Sequence, residues 1–139
     1  MASNNEKGFS LIELLLVVVI IGVVAALAVP SLRRAARAAE NGTTFATMRT
    51  ISSQQIGFFS QNSRFARVTE LNATLSNSLG TTVGDRVVRG VYVIENNPLI
   101  PTDAELRQTY TVTATRAATD DVVYVYELTQ TGEIVQILP

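Results

Sequence analysis

The chain has 139 residues, enough for one compact domain and a membrane anchor. It contains neither cysteine nor histidine, which excludes a disulfide framework, thiol catalysis and zinc sites built from those ligands. Eleven basic and twelve acidic residues give a formal net charge of −1, so the overall charge does not favour binding to nucleic acid or to acidic lipid.

A stretch of twenty-one residues, Phe9 to Val29, is apolar almost throughout, and its single charge is Glu13. A helix of this length spans about 30 Å, the thickness of a bilayer's hydrocarbon core. An ionised carboxylate near lipid costs on the order of 2.5 kcal/mol or more. Glu13 therefore needs a partner, and the intact sequence supplies none.

The junction between Gly8 and Phe9 offers a source for that partner. A cut between these residues creates an α-amine on Phe9, which is a cation one helical turn from Glu13. The amine of a neighbouring copy could serve equally well. A cut at this junction would therefore supply the partner that Glu13 lacks.

The six residues from Gly8 to Glu13, followed by the apolar run, resemble the processing signature of type IV prepilins and pseudopilins. The resemblance covers Lys7 to Pro30 and the helix beyond. It implies that residues 1–8 are a leader removed by a prepilin peptidase, which also methylates the amine of Phe9. It further implies that residues 9–30 form a transmembrane helix that later packs in the core of a filament.

Two plainer interpretations compete with this one. Lys7, the apolar run and the triplet 26–28 fit a secretory signal peptide that is cleaved before Val29. Glu13 within the apolar core and Pro30 close behind the cut both disfavour it. A simple single-span anchor leaves the carboxylate unexplained.

The basic residues around the span favour one orientation and the resemblance favours the other. Arg33, Arg34 and Arg37 follow the span, whereas Lys7 is the one basic side chain before it. Counting basic residues would place the C-terminal side in the cytoplasm. Prepilin processing requires a cytoplasmic leader and an exported head, and we follow the resemblance.

Two positions in the span and just behind it are expected to matter for assembly. Gly22 has no side chain, and Pro30 lacks a backbone donor, so both are points where a helix can bend or loosen. Pilin-family chains are similar in having a glycine and a proline at these places. Pro30 could equally mark a simple boundary between the span and the helix of the head.

Beyond Pro30 we expect a globular head, residues 31–139. Its first part, 31–61, is predicted to be an amphipathic helix with one apolar face that should seat the rest of the head. That face comprises Phe45, Met48, Ser52, Ile56 and Phe59.

A connecting loop is predicted at 62–85 and an antiparallel sheet at 86–139. The loop should contain a short helix that is capped by Thr69, carries Leu71, Leu75 and Leu79, and ends at Gly80. The sheet should have about four strands, because β-branched and aromatic runs lie at 87–95, 109–115, 122–129 and 133–138. The expected fold class is α+β: a long N-terminal helix, apolar in its first half and amphipathic in its second, packed on a C-terminal antiparallel sheet.

The sequence does not predict an enzyme. No serine is paired with an obvious base, and there is no phosphate-binding glycine loop. Asp103 with Glu105 and the pair Asp120-Asp121 could hold a hard cation such as calcium, as major type II secretion pseudopilins do in a C-terminal loop. Two adjacent acids in a turn are more often simply solvated, so no metal or cofactor is assigned.

The expected function is that of a structural subunit. The chain should be inserted in the inner membrane with its head exported, processed after Gly8, methylated at Phe9 and polymerised with other copies into a surface pilus. Its partners would be the prepilin peptidase, the inner-membrane assembly machinery and membrane lipid before assembly. The alternatives are a type II secretion pseudopilin and a secreted binding domain released by signal peptidase.

Overall fold

The computed structural model describes residues 8–117, 119 and 122–139. The leader before Gly8 and the pair Asp120-Asp121 lie outside the described residues. The described chain contains three helices and six strands: α1 (Leu11–Asn62), α2 (Val68–Thr74), β1 (Thr81–Val83), β2 (Arg86–Arg89), β3 (Tyr92–Asn96), α3 (Asp103–Leu106), β4 (Thr111–Arg116), β5 (Val125–Thr129) and β6 (Ile134–Leu138). The chain divides into two compact units, one ending at Ala39 and one beginning at Glu40.

In the first unit the described chain is almost entirely helical, and α1 is long and apolar enough to cross a membrane. The large apolar side chains from Phe9, just before the helix, to Val29 are between 45% and 86% exposed. The helix continues through Gly22 and Pro30. Because Pro30 has no N–H to donate, the carbonyl of Ala26 lacks its intrahelical partner at this point.

The second unit is built on a single antiparallel sheet in which the strand order is the chain order, β1 to β6. Buried residues alternate along β3 and β4, as the two-residue period of a half-buried strand requires. The buried faces meet Met48 and Ile51 of α1 in one hydrophobic core. The predicted α+β class is confirmed.

The sheet has six strands rather than the four predicted from the sequence. The run 87–95 folds back on itself as β2 and β3, and the turn between them passes through Gly90, which has φ +59°. Valines on both sides of Gly90 hide this turn in the sequence pattern. The sixth strand, β1, lies in the predicted connecting loop and pairs with β2 through Thr81 to Val83.

Polar contacts also fix the second half of α1 to the sheet. The Tyr92 hydroxyl donates to Asn41 Oδ1 at 2.6 Å. Arg116, which is 5% exposed, donates to Glu40 Oε2 from Nε at 3.1 Å and from Nη2 at 2.9 Å. A buried guanidinium of this kind requires a carboxylate partner, so the start of the second unit is fixed to β4.

The apolar face predicted for the second half of α1 is only partly correct. Met48 is fully buried, but Ile56 is 71% exposed and Phe59 is 38% exposed. The buried residues of the helix are Thr44, Thr47, Met48, Ile51 and Gln55. The face was misplaced because a polar residue, Gln55, occupies a core position that a hydrophobicity pattern assigns to the surface.

Gln55 is stable in the core because it pairs with the backbone of Ala66. Its Nε2 donates to the Ala66 carbonyl at 2.9 Å, and its Oε1 accepts from the Ala66 N–H at 2.8 Å.

Gln55→Ala is expected to destabilise the head, because it leaves both Ala66 backbone groups buried and unpaired. Each unpaired group costs about 1–3 kcal/mol of stability. We expect the free energy of unfolding of residues 31–139, measured with urea, to fall by about 2–4 kcal/mol. The exposed neighbour Gln54→Ala is the control and should change it little; equal effects of the two variants would contradict this role for Gln55.

The short helix predicted in the connecting segment is present as α2, but its bounds differ from the prediction. It begins at Val68 and ends at Thr74, well before Gly80. Leu71 is buried within the helix, and Leu79 is buried beyond its end. Leu75 lies at the C-cap of the helix and is partly buried against the core. All three leucines therefore pack on the core, but only Leu71 does so from within the helix.

The start of α2 is not capped by Thr69, which lies inside the helix. Glu70 instead accepts from the Arg67 N–H at 2.9 Å and from two nitrogens of Arg64 at 2.9 and 2.8 Å. The Arg64 hydrogen bonds are the main reason that the pKa of Glu70 falls to about 2. A charged pair therefore holds this helix start in place of a threonine hydroxyl.

Candidate processing and assembly site

The predicted cleavage junction lies in an exposed, non-helical segment just before α1. Phe9 is 86% exposed, and a Cβ added to Gly8 would meet nothing within 4 Å. Packing among the described residues therefore does not require glycine at position 8. A requirement for a small residue at this position therefore does not arise within the described part of the chain.

Glu13 lies in the first turn of α1 and caps the helix. Its Oε2 accepts a hydrogen bond from the Ser10 N–H at 2.9 Å. Ser10 and Glu13 have the spacing of a capping box, in which a carboxylate three residues into the helix binds the backbone of the capping residue. The positive end of the helix dipole also favours a carboxylate at this position. The Ser-x-x-Glu spacing before an apolar run is the sequence signal from which this cap could have been predicted.

The capping hydrogen bond uses one oxygen of the Glu13 carboxylate, so the other oxygen can bind a second partner. The hydrogen bond to Ser10 directs the carboxylate towards the amino end of α1, where Phe9 begins. Within the described residues no side chain of opposite charge pairs with Glu13, and its second oxygen accepts no hydrogen bond. An α-amine at Phe9, or one from another copy, can therefore bind Glu13 without displacing the cap.

The other two predicted assembly residues lie further along the same helix, away from the junction. Gly22 and Pro30 are both inside α1 and both exposed. A Cβ at Gly22 would meet nothing within 4 Å. In the described structure, Gly8, Phe9 and Glu13 lie at the amino end of α1. Gly22 and Pro30 lie further along the helix, where the apolar side chains are exposed.

Two of the acidic residues considered for calcium, Asp103 and Glu105, accept hydrogen bonds from other groups of the chain. Asp103 Oδ1 accepts from Arg67 Nη2 at 2.7 Å. Glu105 accepts from the Thr102 N–H at 2.7 Å, and this backbone hydrogen bond is the main cause that lowers the pKa of Glu105. Among the described residues no three acidic, histidine or cysteine side chains form a group that could hold a metal ion. The pair Asp120-Asp121 lies outside those residues.

Comparison with known protein families gives one match. The family described as prokaryotic N-terminal methylation motif matches residues 3–29, which include the Gly8-Phe9 junction, Glu13 and Gly22. No curated protein and no solved structure matches the chain. The matched segment is the part of the chain that has an exposed junction, a capping carboxylate and an unpacked apolar helix. The amino-terminal segment of this chain is therefore the leader signature of type IV pilins and pseudopilins.

Proposed function

We propose that this protein is the structural subunit of a type IV pilus-like filament and polymerises through α1. One observation carries the proposal: the methylation motif extends into a helix, and the large apolar side chains from Phe9 to Val29 are at least 45% exposed. A surface of this kind must be covered by lipid or by protein. Membrane lipid covers it before assembly, and the helices of other copies cover it in the filament.

Processing converts the junction into part of the assembly site. A prepilin peptidase hydrolyses the bond between Gly8 and Phe9, which removes the leader and leaves a cationic amine on Phe9. Methylation of that amine retains its charge. The amine then pairs with Glu13 of its own or a neighbouring chain, so both charges are neutralised in an apolar surrounding. The inner-membrane assembly machinery moves the subunit from the bilayer into the filament, with the head outward.

A type II secretion pseudopilin is the second candidate, because the matched signature is common to pilins and pseudopilins. Such a protein undergoes the same processing and builds a short periplasmic filament instead of a surface pilus. Electron microscopy of cells that produce the protein distinguishes the two, since pili extend beyond the cell surface.

The alternative of a secreted domain requires signal peptidase to cleave before Val29. That cleavage would cut α1 in its interior.

The processing step is tested by replacing Gly8. We expect Gly8→Val to retain the leader, because a branched side chain will not fit a peptidase site that accepts a residue without one. The free space around Gly8 means that the substitution should not disturb the described fold. Gly8→Ala is the matched control and should still be cleaved.

Intact-mass spectrometry should find a chain that starts at a methylated Phe9 in the wild type and in Gly8→Ala, and an uncut chain in Gly8→Val. A wild-type chain that retains its leader, or starts at Val29, would contradict the proposal.

A further inference from the structure

The sheet of the head has two open edges, and neither edge strand carries a charge. β1 (Thr81–Val83) and β6 (Ile134–Leu138) are the first and last strands, so each has a neighbouring strand on one side only. On the other side the backbone N–H and C=O groups are free to pair with a further strand. Natural proteins usually protect such edges with charged side chains or proline, and these two strands contain neither.

Exposed valines lie at both edges, on the face of the sheet that points away from the core. Val83 in β1 is 58% exposed, and Val135 in β6 is 47% exposed. The strand register joins these two valines in one row across the sheet, through Arg86, Glu95, Thr113 and Glu127. Residues in one row point to the same face of a sheet, and none of this row belongs to the core.

The directions of the two edge strands allow the sheet to continue into a second copy. Each of the six strands is antiparallel to the next, so β6 runs opposite to β1. A second copy that lies beside the first in the same orientation therefore brings its β1 antiparallel to β6 of the first. Such a contact joins different surfaces of two copies and leaves an open edge at each end, so it can repeat along a filament.

The backbone groups that are free on the two edges also match. In an antiparallel pair, alternate residues direct their N–H and C=O groups to opposite sides of the strand. Val83 closes the two-residue turn to β2, so the groups of its neighbour Thr82 lie on the open side of β1. The Glu133 carbonyl accepts from the Thr129 N–H, so by the same alternation the groups of Gln136 lie on the open side of β6. Thr82 and Gln136 can therefore hydrogen-bond to each other between two copies.

The chain segments that form the two edges differ in charge. From Ala117 to Pro139, which includes β5 and β6, the sequence has four acidic residues and no basic one. From Thr81 to Val91, which includes β1 and β2, it has two arginines and one acid. Arg89 donates to two backbone carbonyls and pairs with no carboxylate of the described residues. Glu127 and Glu133 likewise form no ion pair in the described part of the chain. Opposite charges favour the approach of β6 to β1 of another copy over the approach of two like edges.

We propose that β6 of one head pairs with β1 of the next head in the filament, so that the sheets of neighbouring copies form one continuous sheet. In this register Gln136 pairs with Thr82, and the exposed side chains of Val135 and Val83 cover each other. The contact is short because β1 has three residues, and it acts among copies that α1 already holds together. The inference rests on the proposed function, since it requires filaments of this chain.

Cysteine cross-linking tests this contact directly, because the chain has no cysteine of its own. Within one head, five strand spacings of about 4.8 Å place β1 and β6 about 24 Å apart. A disulfide requires Cα atoms within about 4.4–6.8 Å, so it can join the two edges only between copies. We expect oxidised filaments of Val83→Cys/Val135→Cys to give a ladder of cross-linked copies on a non-reducing gel. Thr82→Cys/Gln136→Cys tests the same register and should give the same ladder.

The matched control is Thr82→Cys/Val135→Cys, which places the cysteines on the same two strands but on opposite faces of the sheet. Its cross-linked fraction should be roughly tenfold smaller, because Cβ atoms that point apart cannot be bridged. All three variants should form filaments in the presence of a reductant, since the side chains that they replace are exposed.

Three results would overturn the inference. Filaments of the two expected pairs could give no ladder, or the control could give a ladder of equal strength. The cysteines could also cross-link to another protein in place of a second copy, which would show a different occupant of the edges. Filaments without the ladder contradict the edge contact alone, whereas the absence of filaments from the wild type contradicts the proposed function.

Discussion

Glu13→Ala is expected to reduce the yield of filaments by about tenfold or more while leaving membrane insertion intact. Deleting one member of a buried ion pair costs on the order of 3–5 kcal/mol, because the other charge stays buried without a partner. In the filament that remaining charge would be the amine of Phe9. Insertion should be unchanged or improved, since the span loses its one carboxylate. Cleavage after Gly8 should persist, because Glu13 lies outside the scissile bond.

The capping hydrogen bond makes a sharper version of this experiment possible. Glu13 binds the Ser10 N–H through one oxygen, and a glutamine can make the same bond with its amide oxygen. Glu13→Gln thus keeps the cap and removes only the charge. We expect it to assemble as poorly as Glu13→Ala. The measurements are the amount of filament protein sheared from the cells and electron microscopy of the filaments. Wild-type filaments from Glu13→Gln would show that the residue acts as a helix cap and not as a partner of the amine.

A chain shortened to residues 31–139 is expected to be soluble, folded and unable to polymerise. The core of the second unit is formed by residues beyond Glu40, so removing the apolar span takes nothing from it. Its circular dichroism should show both helix and strand. Its sedimentation should be that of a monomer at concentrations at which the processed full chain forms filaments.

Two outcomes would contradict this prediction, and each affects a different claim. A disordered or all-helical spectrum would mean that the head does not fold independently of the span. Filaments from residues 31–139 would mean that assembly does not depend on the apolar half of α1. Adding Gln55→Ala to the shortened chain provides a control for partial unfolding, since it should lower stability without creating polymers.

The residues of the candidate site can be named from the sequence because they lie close together in it. Gly8, Phe9 and Glu13 fall within six residues, and an isolated carboxylate at the start of an apolar run is costly enough to be conspicuous. The contact that the carboxylate makes in the single chain was missed. A charged residue in a membrane span suggests a charged partner, whereas the nearest backbone N–H is an equally good one at a helix start.

The parts of the head that differ from the prediction are those decided by tertiary contacts. Gln55 is buried because the Ala66 backbone, eleven residues further on, needs both a donor and an acceptor. The turn at Gly90 is hidden because the valines around it favour strand on both sides. Local periodicity carries no information about either contact, so the helix face and the strand count could not be predicted correctly.

The strand order of the sheet has a consequence for how the head forms. Each strand pairs with the strand that precedes it in the chain, so every pairing becomes available as soon as the next segment emerges. Three of these pairings, β1 with β2, β2 with β3 and β5 with β6, are joined by two to four residues. Pairings between segments close in sequence form faster than pairings between distant segments. The bonds that span long distances, Tyr92 to Asn41 and Arg116 to Glu40, join residues 51 and 76 positions apart. We therefore expect the sheet to grow progressively from β1, and to pack onto the second half of α1 only as β3 and β4 form.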